Sequence, residues 1–106
     1  MRRSRDFAAV IQSGARTRGG PLVVHQRLDF GTGAPVVGFV VGKAVGGSVV
    51  RHRVARRLRA QVAGRLAALP AGSGTVVRAL PGAAEANSQQ LGTGLDRALS
   101  RLAGRR

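Results

Sequence analysis

Ser4 precedes Phe7, Val10 and Ile11, spaced i, i+3, i+4 as on one face of a helix, and Gly14 follows as a stop. This pattern predicts a short amphipathic helix capped by Ser4. Residues 15–20 show no apolar period and are read as a loop. The run Leu22–Phe30 then alternates, with Leu22, Val24, Leu28 and Phe30 on one face and Val23, His25, Arg27 and Asp29 on the other. It predicts a strand with one apolar and one mostly polar face. Residues 31–35 (Gly-Thr-Gly-Ala-Pro) form a turn, and the β-branched run Val36–Val41 predicts a buried strand, in which Phe39 shares a face with Val37 and Val41 as a core residue. From Ser48 the period becomes helical, with Val50, Val54, Leu58, Val62 and Leu66 at i+4 steps and Leu69 closing the stripe before Pro70. Residues 71–74 turn the chain, Thr75–Leu80 predicts a third strand, and Pro81-Gly82 ends it. Asn87 and Gln90 make a capping box for a last helix, in which Leu91, Leu95, Ala98, Leu99 and Leu102 recur on one face. Gly104-Arg105-Arg106 is read as a frayed basic tail. The order helix, strand, strand, helix, strand, helix implies one sheet covered by helices, an α+β or α/β sandwich whose strand order is left open.

Charge sharpens the picture. The chain has 106 residues with 18 Lys and Arg against 4 Asp and Glu, a formal charge of +14. That length fits one small domain, residues 1–106, with one modest core. An apolar fraction of 43% is too high for a disordered basic tail, so the charge sits on a folded body and calls for a polyanionic partner. Between Asp29 and Glu85 there is no acidic residue, while that stretch holds Lys43, Arg51, Arg53, Arg56, Arg57, Arg59, Arg65 and Arg78. A merely solvated face mixes both signs.

The same composition argues against chemistry on the protein. The carboxylates Asp6, Asp29, Glu85 and Asp96 are scattered, His25 and His52 lie on different elements, and the absence of Cys removes disulfides and thiolate metal sites. No apolar run approaches a membrane span, and Met1-Arg2-Arg3 leads into Ser4-Arg5-Asp6 rather than an apolar signal core, so a cytoplasmic location is expected. Residues 38–43 (Gly-Phe-Val-Val-Gly-Lys) have three residues between glycines where a phosphate loop needs four, and Ala44 where it needs Ser or Thr.

The functional signal lies at residues 46–59. Gly46-Gly47 sits directly before a helix that turns His52, Arg53, Arg56, Arg57 and Arg59 away from its apolar stripe, with Arg51 nearer the stripe's edge. A helix N-terminus with flanking guanidiniums suits phosphate, and the whole face suits a nucleic-acid backbone. Neutralising about six phosphates gives a log–log salt slope of roughly −4 on single strands and −5 on B-DNA. A membrane-surface helix fits less well, because this one lies between two strands and has no Trp or Phe on its apolar face.

Residues 37–59, Val-Gly-Phe-Val-Val-Gly-Lys-Ala-Val-Gly-Gly-Ser-Val-Val-Arg-His-Arg-Val-Ala-Arg-Arg-Leu-Arg, resemble the central motif of the bacterial ribonuclease P protein subunit. The resemblance extends over residues 4–10, 21–25 and 69–79. It implies an αβββαβα two-layer sandwich of the ribosomal protein S5 domain 2-like kind, with a left-handed β-α-β crossover around the Arg-rich helix. It also implies that a catalytic RNA subunit with Mg²⁺, held by the RNA complex, hydrolyses precursor tRNA to release the 5′ leader. The protein, one copy per RNA, then contacts that RNA through the helix and the leader through a cleft between the first helix and the sheet.

Position by position, the resemblance assigns Lys43, Arg51, His52, Arg53, Arg56, Arg57 and Arg59 to RNA-subunit binding, and Phe7, Ile11 and His25 to the leader; it assigns no catalytic or metal-ligating residue. Phe7 suits a base-stacking ring or a core position equally. Gly47 and His52 stand where the family usually has Asn, Ala55 where it has a basic residue, Ile11 for a second helix aromatic and His25 for a strand tyrosine. The alternative reading is a non-catalytic RNA-binding or ribosome-associated module. A nucleoid-type DNA binder fits the charge but not the motif.

Overall fold

The computed structural model describes residues 4–105. Its elements are helix α1 (Ser4–Ser13), strands β1 (Ala15–Gly19), β2 (Leu22–Arg27) and β3 (Val36–Val40), helix α2 (Ser48–Ala63), strand β4 (Gly74–Ala79) and helix α3 (Ser88–Gly104). Two single 3₁₀ turns, Leu66–Ala68 and Pro81–Ala84, flank β4. The order is the αβββαβα pattern.

Four strands form one sheet in the order β1-β2-β4-β3, antiparallel except for the parallel pair β3 and β4. A parallel pair needs a crossover, which α2 supplies. Leu22 and Val24 of β2 and Val77 and Ala79 of β4 meet Val54, Leu58 and Val62 of α2 and Leu91, Leu95, Ala98 and Leu102 of α3 in one apolar core. The alternate residues Val23 and Val76 are also buried but lie outside that core, as does Val10 of α1, which packs against β2 and β4. Strand side chains alternate between faces. The molecule is thus a two-layer α/β sandwich, with α1 lying across part of the sheet's other face.

Several sequence expectations are corrected. Residues 15–19 are a strand, not a loop: β1 pairs with β2 from Ala15↔Gln26 to Gly19↔Leu22. Ala-Arg-Thr-Arg-Gly shows no apolar alternation because its inward positions are Thr17 and Gly19. Gly19 is required there, since a Cβ would lie 1.9 Å from the Gly94 carbonyl oxygen of α3. β2 ends at Arg27, leaving Leu28 exposed, while the Phe30 ring instead covers Gly74. α2 stops at Ala63 with Gly64 as its C-cap, so Leu66 falls off the stripe and is exposed, although Leu69 is buried. Ser4 lies within α1 rather than before it. The expected frayed tail is helical through Gly104, and the Arg105 guanidinium donates to the Arg16 carbonyl at 2.7 Å. Met1-Arg2-Arg3 and Arg106 lie outside the described residues.

The predicted capping box is present: the Asn87 side chain accepts from the Gln90 N–H at 2.8 Å, and the Gln90 side chain accepts from the Asn87 N–H at 2.8 Å. At the other end of the α2–α3 interface, Arg65 donates to both carboxylate oxygens of Asp96, at 2.6 and 3.1 Å. That pairing holds the Asp96 carboxyl below its ordinary range.

Candidate nucleic-acid interface

Val54, Leu58 and Val62 face the core, and this fixes where the cations of α2 go. His52, Arg56 and Arg59 are exposed, Arg51, Arg53 and Arg57 are half-buried, and Lys43 is exposed in the turn leading into the helix. The half-buried arginines have structural partners. Arg53 donates to the Ala84 carbonyl at 3.2 Å and Arg57 to the Ala86 carbonyl at 2.9 Å, tying α2 to the segment that enters α3. Each guanidinium carries five donors, so one bond to a carbonyl aims the fork and leaves donors for an anion. The Arg59 guanidinium lies over the Phe39 ring, 5.8 Å from its centroid. Phe39 also packs against the core, so it joins the sheet to the basic face.

The helix entrance is open. Gly47 is the N-cap in extended conformation and provides no side-chain cap. Arg51 reaches back to the Ser48 hydroxyl at 3.4 Å, and Val49 is 81% exposed amid Ser48, His52, Arg53 and Arg56. First-turn N–H groups lacking a cap offer donors and partial positive charge at the end where the arginines converge.

A second cationic surface lies across the sheet. Cross-strand partners share a face, and the register sets out two rows: Arg16, His25, Val76 and Gly38, then Arg18, Val23, Arg78 and Val40. This is the face that α1 partly covers, and Phe7 and Ile11 are both half-buried on α1. Phe7 thus keeps the intermediate exposure compatible with packing and stacking together. The sequence reading missed Arg16, Arg18 and Arg78 here. The strand register that aligns them becomes visible only once β1 is recognised as a strand.

His25 differs from its expected placement. It is 3% exposed, and neither ring nitrogen has a hydrogen-bond partner among the described residues. Burial, with Arg78 and Arg16 nearby, lowers its pKa from the ordinary 6.5. The ring therefore lies beneath the surface that Phe7 and Ile11 flank, and does not line it. Among the described residues, no group of three or more His, Cys, Asp and Glu side chains is placed to hold a metal ion. Among them, too, no helix is long and apolar enough to cross a membrane.

Fold and surfaces together define a small α+β domain built to present two arginine-rich faces, one on a crossover helix and one on a sheet. The family model for ribonuclease P matches residues 1–103. The chain is 52% identical to the ribonuclease P protein component of Streptomyces bikiniensis, covering 98% of this chain and 91% of that one. It is 50% identical to the corresponding component of Acidothermus cellulolyticus, covering 96% and 86%. Among solved structures, the RNase P protein of Staphylococcus aureus superposes with a TM-score of 0.85 at 20% identity, over 95% of this chain and 92% of that one. The RNase P protein of Thermotoga maritima gives 0.82 at 23% identity, over 95% and 94%. The chain belongs to the ribonuclease P protein family.

Proposed function

We propose that this chain is the protein subunit of a ribonuclease P ribonucleoprotein, binding the catalytic RNA through α2 and the 5′ leader of precursor tRNA on the open sheet face. Family membership over residues 1–103 carries the reading. On α2, Lys43, His52, Arg56 and Arg59 are the exposed contacts, while Arg51, Arg53 and Arg57 contribute forks already aimed by the fold. Gly47 in place of a capping side chain leaves the helix N-terminus to be satisfied by RNA phosphate.

Beside the open sheet face, Phe7 and Ile11 of α1 provide apolar surface for unpaired bases, and Arg78 of β4 provides charge for the backbone. His25 supports this floor from below. Hydrolysis of the phosphodiester belongs to the RNA with its bound Mg²⁺. The protein's part is to hold substrate and RNA together and to screen their mutual repulsion, which lowers the Mg²⁺ the complex requires.

Single-turnover cleavage of 5′-labelled precursor tRNA at low Mg²⁺ by a bacterial ribonuclease P RNA tests the reading. The protein is expected to accelerate cleavage at the mature 5′ end while cleaving nothing alone. Binding to the RNA without acceleration would instead favour the non-catalytic RNA-binding module.

A further inference from the structure

Among the described residues, β1 is an edge strand whose outer carbonyls face no neighbouring strand. Arg101 donates to the Arg18 carbonyl at 2.5 Å and Arg105 to the Arg16 carbonyl at 2.7 Å. Arg101 is in the last turn of α3 and Arg105 is the C-cap four residues on, so the two lie on one side of the helix end. With Arg16, Arg18, Val23 and Leu80 they line an open trough of about 570 Å³ that contains no acidic side chain. Two of the chain's four carboxylates, Asp29 and Asp96, are engaged elsewhere by Arg27 and Arg65. Four guanidiniums therefore converge on one groove, two of them pinned by the strand edge with most of their donors unspent. Pinning removes rotamer freedom before any ligand arrives, so an anion loses less entropy in binding there.

The trough is continuous with the open sheet face, since Val23 and Arg18 belong to both. Three inter-strand spacings of about 4.8 Å make that face about 14 Å across. At 3.4 Å or more per nucleotide it accommodates at most about four nucleotides. A longer single strand laid across the strands toward β1 would reach the trough.

We propose that this trough is a second phosphate-binding site, taking the backbone of single-stranded leader RNA that extends beyond the sheet face. The proposal rests on the leader assignment above. It makes Arg101 and Arg105 a sensor of leader length and gives the site no base preference, because no aromatic ring lines it.

The test uses reconstituted holoenzyme with precursor tRNAs bearing a short leader of about three nucleotides or a long one of about ten. In the double variant Arg101→Gln, Arg105→Gln, each amide still offers the strand edge a donor but carries no charge. Affinity for the short-leader substrate is expected to be unchanged, and affinity for the long-leader substrate to fall roughly five- to tenfold. The salt slope of long-leader binding should become shallower by about 1.4. The Arg101→Lys, Arg105→Lys protein should retain most of the long-leader affinity. Equal losses on both substrates, or a lysine variant as impaired as the glutamine one, would mean that these residues only hold the strand edge and would overturn the proposal. A full long-leader advantage in the glutamine variant would overturn the trough alone. A parent holoenzyme indifferent to leader length would overturn the leader assignment and the trough with it.

Discussion

Gly94 sits in the middle of α3, where glycine costs helix stability, yet a Cβ there would come 2.6 Å from the Gly19 carbonyl oxygen. Helix and sheet approach backbone to backbone at this point, and neither side has a flexible tip that can give way. Gly94→Ala is therefore expected to destabilise the protein by about 2 kcal/mol despite its better propensity. Gly104→Ala, in the same helix with no atom within 4 Å of its Cβ, should instead stabilise by about 0.5 kcal/mol. Urea denaturation of the two variants checks the pair. His25 gives a second prediction. Its pKa is lowered in the fold, so the unfolded chain takes up a proton more readily, and stability is full above about pH 6.5 and declines as pH falls through the folded value. The urea midpoint should drop between pH 7.5 and 5.5, and His25→Leu should flatten that dependence. Neither residue's role was legible beforehand. The alternation of residues 22–30 put His25 on a polar face, because α1's cover over that face is a long-range packing fact that no local period carries.

At the scale of elements, α2 was the most legible: its i+4 stripe marks the core side, and the acid-free opposite face follows by subtraction. Asn87 and Gln90 were equally plain, since a capping box is written within four residues. β1 was hidden because its inward positions, Thr17 and Gly19, are small or polar, and its outer edge is satisfied by arginines more than eighty residues away. The helical period set only Arg51 apart, nearer the stripe's edge, whereas the fold also divides Arg53 and Arg57 from Arg56 and Arg59. Arg57→Ala removes the bond to the Ala86 carbonyl and should cost about 1 kcal/mol of stability together with RNA affinity. Arg56→Ala, at an exposed position, should leave the urea midpoint in place and weaken RNA-subunit binding alone, with a salt slope shallower by about 0.7–0.9. Paired denaturation and salt-titration curves separate the two.

Across the whole molecule, a charge of +14 is distributed so that α2 and the open sheet face each carry an arginine cluster, with the apolar core of the α2–α3 layer between them. Such a body can bridge two polyanions that would otherwise repel each other, the role we propose for it, with one face for the catalytic RNA and the other for the leader. The most direct measurement compares precursor and mature tRNA binding by holoenzymes carrying either Phe7→Ala with Arg78→Gln on the sheet side or Arg56→Gln with Arg59→Gln on α2. The sheet-side variant is expected to lose its preference for precursor over mature tRNA yet to assemble normally with the RNA subunit. The α2 variant should assemble more weakly but keep that preference once RNA-bound. If both pairs of substitutions reduced assembly and leader preference alike, the two faces would form a single undivided basic surface, contradicting the division of roles between them.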